Sequence, residues 1–328
     1  MKAIAQERFG PPDVMALTDL DLPEAGPDDV MIRVCAAALN PYDWHMVRGN
    51  PMIARLIPGG SGLTRPAQPV AGIDAAGVVE TVGASVRGLR PGDEVFGFCP
   101  GAFAEYARAA GDKLVPKPAS LTFEQAAALP MAATTALRGI REVGKVQAGQ
   151  RVLINGAAGG VGTFAVQIAV ALGAEVTGVC RTSNAELVCS LGAARVIDYT
   201  KEDFTARREA YDVILDNVGN RPLRSLRRAL TRTGTLVFNA GGSPGDVIGT
   251  MSYLFKMGLT DLFTRQRLKF PMPRQDRAEL AAVAELVEND TLRPVIDRTY
   301  PLADVAAGLR YVEQGHVRGK VVITVCPG

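Results

Sequence analysis

Residues 35–49, CAAALNPYDWHMVRG, place a thiol, an amide, a phenol, a carboxylate and an imidazole within eleven positions. These groups belong to Cys35, Asn40, Tyr42, Asp43 and His45. Such a set could hold a metal ion or transfer a proton, because thiolate, carboxylate and imidazole serve in both kinds of site. It could also be the end of a strand followed by a loop, in which His45 and Trp44 only pack.

A second stretch, VLINGAAGGVGTFAVQIAVALG at 152–173, joins an apolar strand to a helix through a glycine-rich turn. Glycine lets the backbone turn tightly and approach a pyrophosphate, and the helix N-terminus adds N–H donors. The spacing is Ala157-x-Gly159-x-x-Gly162, which departs from the strict three-glycine form, so a purely structural turn is the alternative. The strand–turn–helix context favours a dinucleotide-binding loop.

The residues after the next strand bear on which dinucleotide binds. An NAD site normally has Asp or Glu at the end of this strand, whereas this chain has Cys180, Arg181, Thr182 and Ser183. A guanidinium group and hydroxyl groups suit the 2′-phosphate of NADP(H). The alternative is that Arg181 is an ordinary surface charge. The pattern favours NADP(H).

Length and composition indicate a two-domain globular protein. The chain has 328 residues, 47% of them hydrophobic, and a net charge of +2 without a long run of one sign. We therefore expect neither a nucleic-acid nor a membrane partner. The N-terminus lacks the apolar core of a secretory signal, and five scattered cysteines form no CxxC pair. These features predict a cytoplasmic location.

The pattern of secondary structure changes along the chain. Residues 1–122 contain short β-branched segments separated by Gly and Pro, which is typical of a small barrel-like domain. Thr122 and Gln125 form a capping signal for a helix that Pro130 should break. From residue 150 onward, buried strands alternate with helices, which predicts a doubly wound parallel sheet. The tail adds one more helix and a final strand.

The segment 245–276 is rich in Met, Phe, Tyr and Leu, with interleaved cations. Its apolar positions repeat at the spacing of an amphipathic helix. Three roles remain open for it: a cap over the substrate, a dimer surface, or a helix on a membrane surface. The apolar positions are Met251, Leu254, Phe255, Leu259, Leu262 and Phe263, and the cations are Lys256, Arg265, Arg267 and Lys269.

Together these motifs resemble the medium-chain dehydrogenase/reductase superfamily, and within it the zinc-independent, zeta-crystallin-like quinone oxidoreductase branch. The resemblance covers essentially the whole chain and rests on LNPYDW, PVAGIDAAGVVETVGASVRGLRPGDEVFG, GAFAEYA, AALPMAATTAL, LINGAAGGVG, LGAARVIDY and GHVRGKVVI. It implies an α/β fold, a doubly wound parallel Rossmann sheet plus a GroES-like β-barrel catalytic domain. The implied catalytic domain is 1–122, completed by 291–328, and the implied NADP-binding domain is 123–290.

The same resemblance implies that no metal is bound. Asn40 stands where zinc-containing members have a catalytic cysteine, and Ile73 stands at the histidine of their Gly-His-Glu motif. Their third ligand falls around Met131. An apolar group and a thioether are poor zinc ligands, and the four-cysteine structural lobe is also missing.

The implied activity is hydride transfer from NADPH to a quinone or an α,β-unsaturated carbonyl, without zinc. An electron-poor acceptor needs less help from a Lewis acid than an alcohol does, and the cofactor carries the difficult step. The implied partners are a small-molecule substrate and a second copy of the chain. The alternatives are an enoyl-thioester reductase and a non-catalytic NADPH-binding structural or adaptor protein.

The resemblance also assigns site residues. Asn40 would contact the substrate carbonyl or the nicotinamide ribose, and Asp43 would orient the loop. Tyr42 would donate a proton, unless solvent does, or form a wall of the site, and Thr135 would contact the nicotinamide. The implied cofactor contacts are Gly159, Gly160, Val161, Gly162, Arg181, Ser183, Tyr199, Asn217, Asn239, Ala240, Arg318, Gly319 and Lys320.

Overall fold

A computed structural model describes residues 1–50, 62, 65–240, 247–272 and 274–326, with backbone only for 247–251. The chain divides into two units. The first comprises Met1–Ala132, Gln275–Asn289 and Pro294–Gly328, and the second comprises Ala133–Arg274 and Asp290–Arg293. The domain boundaries inferred from the sequence stay a prediction. The first unit differs from them by also holding residues 123–132 and 275–289, and residues 291–293 belong to the second unit.

Strands and helices are numbered in chain order. The strands are β1 (Lys2–Ala5), β2 (Ala16–Asp19), β3 (Asp29–Leu39), β4 (Asp74–Val82), β5 (Glu94–Phe98), β6 (Tyr106–Ala110), β7 (Leu114–Pro116), β8 (Arg151–Asn155), β9 (Glu175–Cys180), β10 (Arg195–Asp198), β11 (Tyr211–Asp216), β12 (Leu230–Phe238), β13 (Arg267–Lys269), β14 (Ile296–Pro301) and β15 (Lys320–Thr324). The helices are α1 (Pro41–Arg48), α2 (Phe123–Ala127), α3 (Pro130–Leu137), α4 (Gly160–Ala171), α5 (Ala185–Ser190), α6 (Leu223–Ala229), α7 (Val247–Leu262), α8 (Arg277–Glu288) and α9 (Val305–Glu313). None of these helices is both long and apolar enough to cross a bilayer.

A largely antiparallel sheet organises the first unit. Its strand order is β14-β15-β3-β4-β5-β7, with β6 also paired to β3, and among the strands that the structure describes in this sheet only β14 and β15 run parallel to each other. The central strand β3 is buried along almost its whole length, because β15, β4 and β6 all pair with it. The hydrophobic core beside this sheet includes Trp44 and Phe103. Chain segments from both ends of the sequence therefore build one core.

A parallel sheet organises the second unit, as the alternating pattern predicted. Its order is β10-β9-β8-β11-β12-β13, and every described pairing in it is parallel. The inner strands are buried almost continuously, which is typical of a parallel sheet covered on both faces. The predicted doubly wound fold is confirmed. All carboxyl ends of these strands lie along one edge, where such folds bind ligands.

Local signals in the sequence also hold. The Thr122 hydroxyl accepts from the Gln125 N–H at 3.3 Å, and the Gln125 side chain accepts from the Thr122 N–H at 3.0 Å. The predicted break is confirmed, because α3 begins at Pro130. The predicted amphipathic helix is α7, and a short strand, β13, follows it. Residues 245, 246 and 273 of that segment lie outside the described residues.

Gly77 tests how tightly β3 and β4 pack. A Cβ atom on Gly77 would lie 2.2 Å from the Arg33 carbonyl oxygen, so Gly77→Ala must force the two strands apart. We expect it to lower the free energy of unfolding of the first unit by about 2 kcal/mol. Urea unfolding followed by fluorescence measures this, because Trp44 is the only tryptophan and lies buried in that unit. Gly258→Ala is the control, since nothing lies within 4 Å of its added Cβ; an equal loss in both variants would contradict the packing argument.

Candidate active site

The turn from β3 into α1 positions the polar side chains of the first stretch. Asn40 is in an extended conformation, and its N–H donates to Asp43 Oδ2 at 2.7 Å, which closes one half of a helix cap. Pro41 follows at the first helical position, where its missing N–H costs no hydrogen bond. Gly49 ends the helix with φ of 63°, a left-handed conformation that glycine adopts easily. The short helix is therefore fixed at both ends.

Asn40 belongs to a buried polar cluster that joins three strands of the first unit. Its Nδ2 donates to Asp74 Oδ2 at 3.0 Å, and its Oδ1 accepts from Lys320 Nζ. Lys320 Nζ also lies 3.7 Å from Asp74 Oδ2. The Met131 N–H donates to both carboxylate oxygens of Asp74 at 3.2 Å. Asn40, Asp74 and Lys320 are each at most 3% exposed, so this cluster is shielded from water.

Burial governs the ionisation of this cluster. It raises the pKa of Asp43 to about 7, and the negative charge of Asp74 adds to the rise, whereas the Asn40 N–H and Lys320 oppose it. Burial likewise raises the pKa of Asp74 and lowers that of Lys320, while the opposite charge of each partner counters the shift. Asp43 Oδ1 has no hydrogen-bond partner in the described part of the chain. Asp43 is thus a carboxyl group that can exchange a proton near neutral pH.

Tyr42 lies at the wall of a cavity in the first unit. This cavity has a volume of about 870 Å³, and Tyr42, Asp43 and Phe98 are among its lining residues. Tyr42 is 43% exposed. Partial burial and the Asp43 carboxylate raise the pKa of its phenol, so the hydroxyl keeps its proton at neutral pH. The geometry is compatible with both of its predicted roles, proton donor and wall.

The donor set does not fit zinc. Asn40 uses its amide within the cluster, Ile73 is an apolar side chain that is 5% exposed, and Met131 offers only a thioether. The cation beside Asp74 is the Lys320 ammonium group. Among the described residues, no three His, Cys, Asp or Glu side chains are grouped closely enough to hold a metal ion.

The glycine-rich turn of the second unit fits a pyrophosphate. Gly156 has φ of 76°, and a Cβ atom on Gly162 would lie 2.0 Å from the Gly156 carbonyl oxygen, so only glycine lets α4 approach the turn this closely. Gly159 is the N-cap of α4 and its side chain supplies no acceptor. The first-turn amides, which include those of Gly160 and Val161, have no acceptor within the helix. They are available to an anion.

Polar side chains surround the end of β9, the place predicted from the sequence for the 2′-phosphate of the cofactor. Arg181 Nε donates to the Tyr199 hydroxyl, and Ser183 is exposed beside them in the sequence. Asp198, which was not among the residues predicted from the sequence, accepts hydrogen bonds from the hydroxyls of Thr182 and Thr200. These bonds lower the pKa of Asp198 and keep it ionised. In the sequence Asp198 directly precedes the predicted Tyr199, and in the structure the pairing of β10 with β9 sets it opposite Cys180.

A chain of amides crosses the carboxyl ends of β8, β11 and β12. Asn239 Nδ2 donates to Asn217 Oδ1 at 2.9 Å, and Asn217 Nδ2 donates to the Asn155 carbonyl at 3.1 Å. Asn155 Nδ2 in turn donates to Asp216 Oδ1 at 2.8 Å. Asn217 and Asn239 were predicted from the sequence, whereas Asn155 and Asp216 were not. Both missed residues are the last of their strands, which is the signal that identifies them.

Of the remaining predicted site residues, two belong to the second unit and two to the first. Thr135 lies half-buried in α3, and Ala240 is buried just after β12, both in the second unit. Arg318 is exposed, and its N–H donates to Asp297 at 3.0 Å in the first unit. Gly319 is buried beside it. The structure brings Asn40, Asp43 and Lys320 together, whereas the predicted role of each site residue stays a prediction.

Comparisons with known proteins match both parts of the chain. Residues 26–119 match the alcohol dehydrogenase GroES-like domain. Residues 191–323 match a family described as zinc-binding dehydrogenase.

Whole-length relatives extend these matches. The mouse mitochondrial NAD(P)H oxidoreductase RTN4IP1 is 34% identical over 361 residues, covering 99% of this chain and 89% of the relative. The chloroplastic NADPH-dependent alkenal/one oxidoreductase of Arabidopsis thaliana is 32% identical, covering 100% of this chain and 80% of the relative. The structure of the quinone oxidoreductase from Coxiella burnetii has a TM-score of 0.85 at 32% identity, covering 99% of each chain.

The raised pKa of Asp43 predicts a pH-dependent stability. Between the unfolded pKa near 3.8 and the folded value of about 7, only the folded protein keeps the proton, so its stability falls as pH rises through this window. Asp43→Asn removes that dependence, and the wild type should lose up to about 4 kcal/mol relative to the variant between pH 4 and pH 7. Urea unfolding monitored by Trp44 at a series of pH values measures the difference. If the free energies of unfolding of the two proteins changed with pH in parallel, the raised pKa of Asp43 would be refuted.

Proposed function

Because the chain belongs to the medium-chain dehydrogenase/reductase superfamily, in its quinone oxidoreductase-like branch, we propose that it transfers hydride from NADPH to a quinone or an α,β-unsaturated carbonyl without zinc. The sequence-based family assignment is confirmed by the whole-length relatives. One observation carries the zinc-independent reaction. The residues at the metal-ligand positions are an amide, an alkyl group and a thioether, and the neighbouring cation is the Lys320 ammonium group.

The chain's own groups fit NADP(H). The first-turn amides of α4 would hold the pyrophosphate, since the helix leaves them without acceptors and Gly162 allows close approach. Arg181 would bind the 2′-phosphate, with the exposed Ser183 hydroxyl and Tyr199 beside it. The negative charge of Asp198 would repel the 2′-phosphate less than that of a free carboxylate. The hydroxyls of Thr182 and Thr200 donate to it, and Lys201 Nζ lies 3.5 Å away. The Arabidopsis relative, named as NADPH-dependent, supports the same cofactor.

The reaction needs an acceptor held in position beside the cofactor, and it needs one proton. When bound, NADPH supplies the hydride, which adds two electrons to an electron-poor carbon or oxygen of the acceptor. The Tyr42 hydroxyl, which keeps its proton at neutral pH, or solvent would then supply the proton that neutralises the reduced acceptor. Asn40 holds Asp74 and Lys320 in place and begins the helix that carries Tyr42. These residues orient the site rather than ionise an alcohol.

A panel of acceptors tests the proposal. Purified protein is mixed with NADPH and, separately, with 1,4-benzoquinone, a 2-alkenal, a cyclic enone, an enoyl thioester or a simple ketone, and cofactor oxidation is followed by absorbance. We expect turnover with quinones or activated alkenes, none with the ketone, and no loss of rate on dialysis against a zinc chelator. Turnover of the thioester alone would favour an enoyl-thioester reductase. Tight NADPH binding without turnover of any acceptor would favour a non-catalytic protein.

Arg181 sets the preference between the two dinucleotides. Arg181→Ala should raise the KM for NADPH about tenfold and leave the KM for NADH nearly unchanged, since only NADPH carries the 2′-phosphate. Steady-state kinetics with each cofactor and one acceptor measures the two KM values. Arg151→Ala is the matched control. Arg151 begins β8, away from the carboxyl ends of the strands, and its guanidinium group pairs with Asp212. An equal change for NADPH and NADH in Arg181→Ala would contradict the assignment.

We also propose that the protein is a homodimer and that it works in a reducing cytoplasm. A homodimer is consistent with β13, which is the edge strand of the described parallel sheet and has one free side; light scattering tests it. A reducing cytoplasm is consistent with five free cysteines. The mouse and Arabidopsis relatives are named mitochondrial and chloroplastic, so microscopy of the tagged chain is the test of compartment.

A further inference from the structure

Two cysteines lie side by side at the sheet of the first unit. Cys35 belongs to β3, and Cys326 follows the end of β15, the strand that pairs with this part of β3. The main-chain N–H groups of Val325 and Cys326 both donate to the Cys35 carbonyl oxygen, at 2.9 and 3.2 Å. Two residues on one strand that share a single residue on the next form a β-bulge. The bulge sets Cys326 directly beside Cys35.

One arginine contacts both thiols. Arg33 Nη1 lies 3.3 Å from Cys326 Sγ and 3.9 Å from Cys35 Sγ. Arg33 and Cys35 are two residues apart on β3 and therefore lie on the same face of the sheet. Val34, between them, belongs to the core, so this face points away from that core. The three side chains of Arg33, Cys35 and Cys326 thus meet on one face, and we call them the dithiol site.

The two thiols differ in their access to solvent. Cys35 is 7% exposed, whereas Cys326 is partly exposed. Burial raises the pKa of the Cys35 thiol to about 12, and the adjacent Cys326 thiol adds to the rise, whereas Arg33 opposes it. Cys326 therefore meets a reagent first, beside a guanidinium group that stabilises a thiolate. Cys35 keeps its proton and stands ready as the second thiol.

The dithiol site is separate from the groups assigned to hydride transfer. Lys320 begins β15 next to the end of β3, and the two strands are antiparallel, so Cys326 lies past the opposite end of β15. Both cysteines belong to the first unit, whereas β13, the edge proposed for the dimer, belongs to the second. A bond between the thiols would leave the catalytic groups unaltered. It would tie the far end of the strand that carries Lys320.

We propose that Cys35 and Cys326 form an oxidation site, at which a hydroperoxide converts the two thiols into a reversible disulfide bond. The Cys326 sulfur attacks the peroxide, the O–O bond breaks, and the thiol proton leaves with the released alcohol or water. The Cys35 sulfur then attacks the resulting sulfenic acid, the S–O bond breaks, and the Cys35 proton leaves with the hydroxyl group as water. Two electrons pass from the thiols to the peroxide, and a thiol reductant returns them.

The expected consequence is a more stable first unit. The disulfide would join the chain's last strand to β3 and close a loop that holds nearly the whole chain. Such a cross-link restricts the unfolded chain, so the folded state gains stability. In a reducing compartment the bond would be transient, which is how disulfides of intracellular proteins usually behave.

The test exposes the reduced, full-length protein to hydrogen peroxide and then blocks the remaining thiols by alkylation. Mass spectrometry of a digest should show a linkage between the peptides that hold Cys35 and Cys326, and dithiothreitol should remove it. Cys35→Ser and Cys35→Ala should give no linkage and should leave an oxygen acid on Cys326. Cys189→Ser is the control, because this exposed thiol lies on α5 in the second unit, and it should leave the linkage unchanged.

Two further measurements examine the arginine and the stability. Arg33→Ala should slow the linkage about tenfold, because the guanidinium group no longer stabilises the thiolate, and Arg33→Lys should restore most of the rate. The oxidised wild type should unfold at a higher urea concentration than the reduced protein, as followed by Trp44 fluorescence. Cys326→Ser should show no such difference. Circular dichroism of each variant verifies folding.

Other products would contradict the proposal. Peroxide-treated wild type in which Cys326 carries sulfinic acid while Cys35 remains a free thiol would overturn it. So would disulfides that join two chains through Cys189 while Cys35 remains free. A linkage that forms at the same rate in Arg33→Ala, or one that leaves the urea unfolding curve unchanged, would also overturn it.

Discussion

The Lys320 ammonium group, held between Asn40 and Asp74, is the interaction on which the first unit depends. It joins the start of β15 to the end of β3 and the start of β4, and all three side chains are withdrawn from water. A buried ammonium or carboxylate group is tolerated only when a partner neutralises it, so none of the three can be lost alone without a large cost in stability. Asn40 is also the N-cap of the helix that carries Tyr42 and Asp43, so this cluster fixes where the helix begins.

The same interaction explains what kind of chemistry the site supports. An ammonium group on a strand balances the carboxylate without offering an open coordination position to a substrate. The remaining polar groups near it are a phenol and a carboxyl group that titrates near neutral pH. Such groups orient an acceptor and exchange protons. They suit an acceptor that is already electron-poor, which is the substrate class proposed above.

Much of the fold could be predicted because its signals are local. The apolar runs of the parallel strands, the glycine turn and the Thr122 cap each depend on neighbouring residues, and each formed as expected. The site was only partly accessible to this reasoning. Asn40 was identified by position, yet its amide bonds to Lys320, 280 residues away, and no local pattern encodes that pairing. The Asn155–Asp216 contact, across 61 residues, was missed for the same reason.

The placement of β15 beside β3 has a consequence for how the molecule assembles. During synthesis, β3 and β4 leave the ribosome long before β15. The residues of the second unit are made after β4 and before β15. The βα segments of that unit close short loops and can fold as they emerge, whereas the first unit must await a partner 280 residues downstream. Until then Ala36–Leu39 of β3 lack their partner strand, and Asn40 and Asp74 lack the Lys320 ammonium group. Vectorial folding therefore completes the inserted unit first and the enclosing unit last.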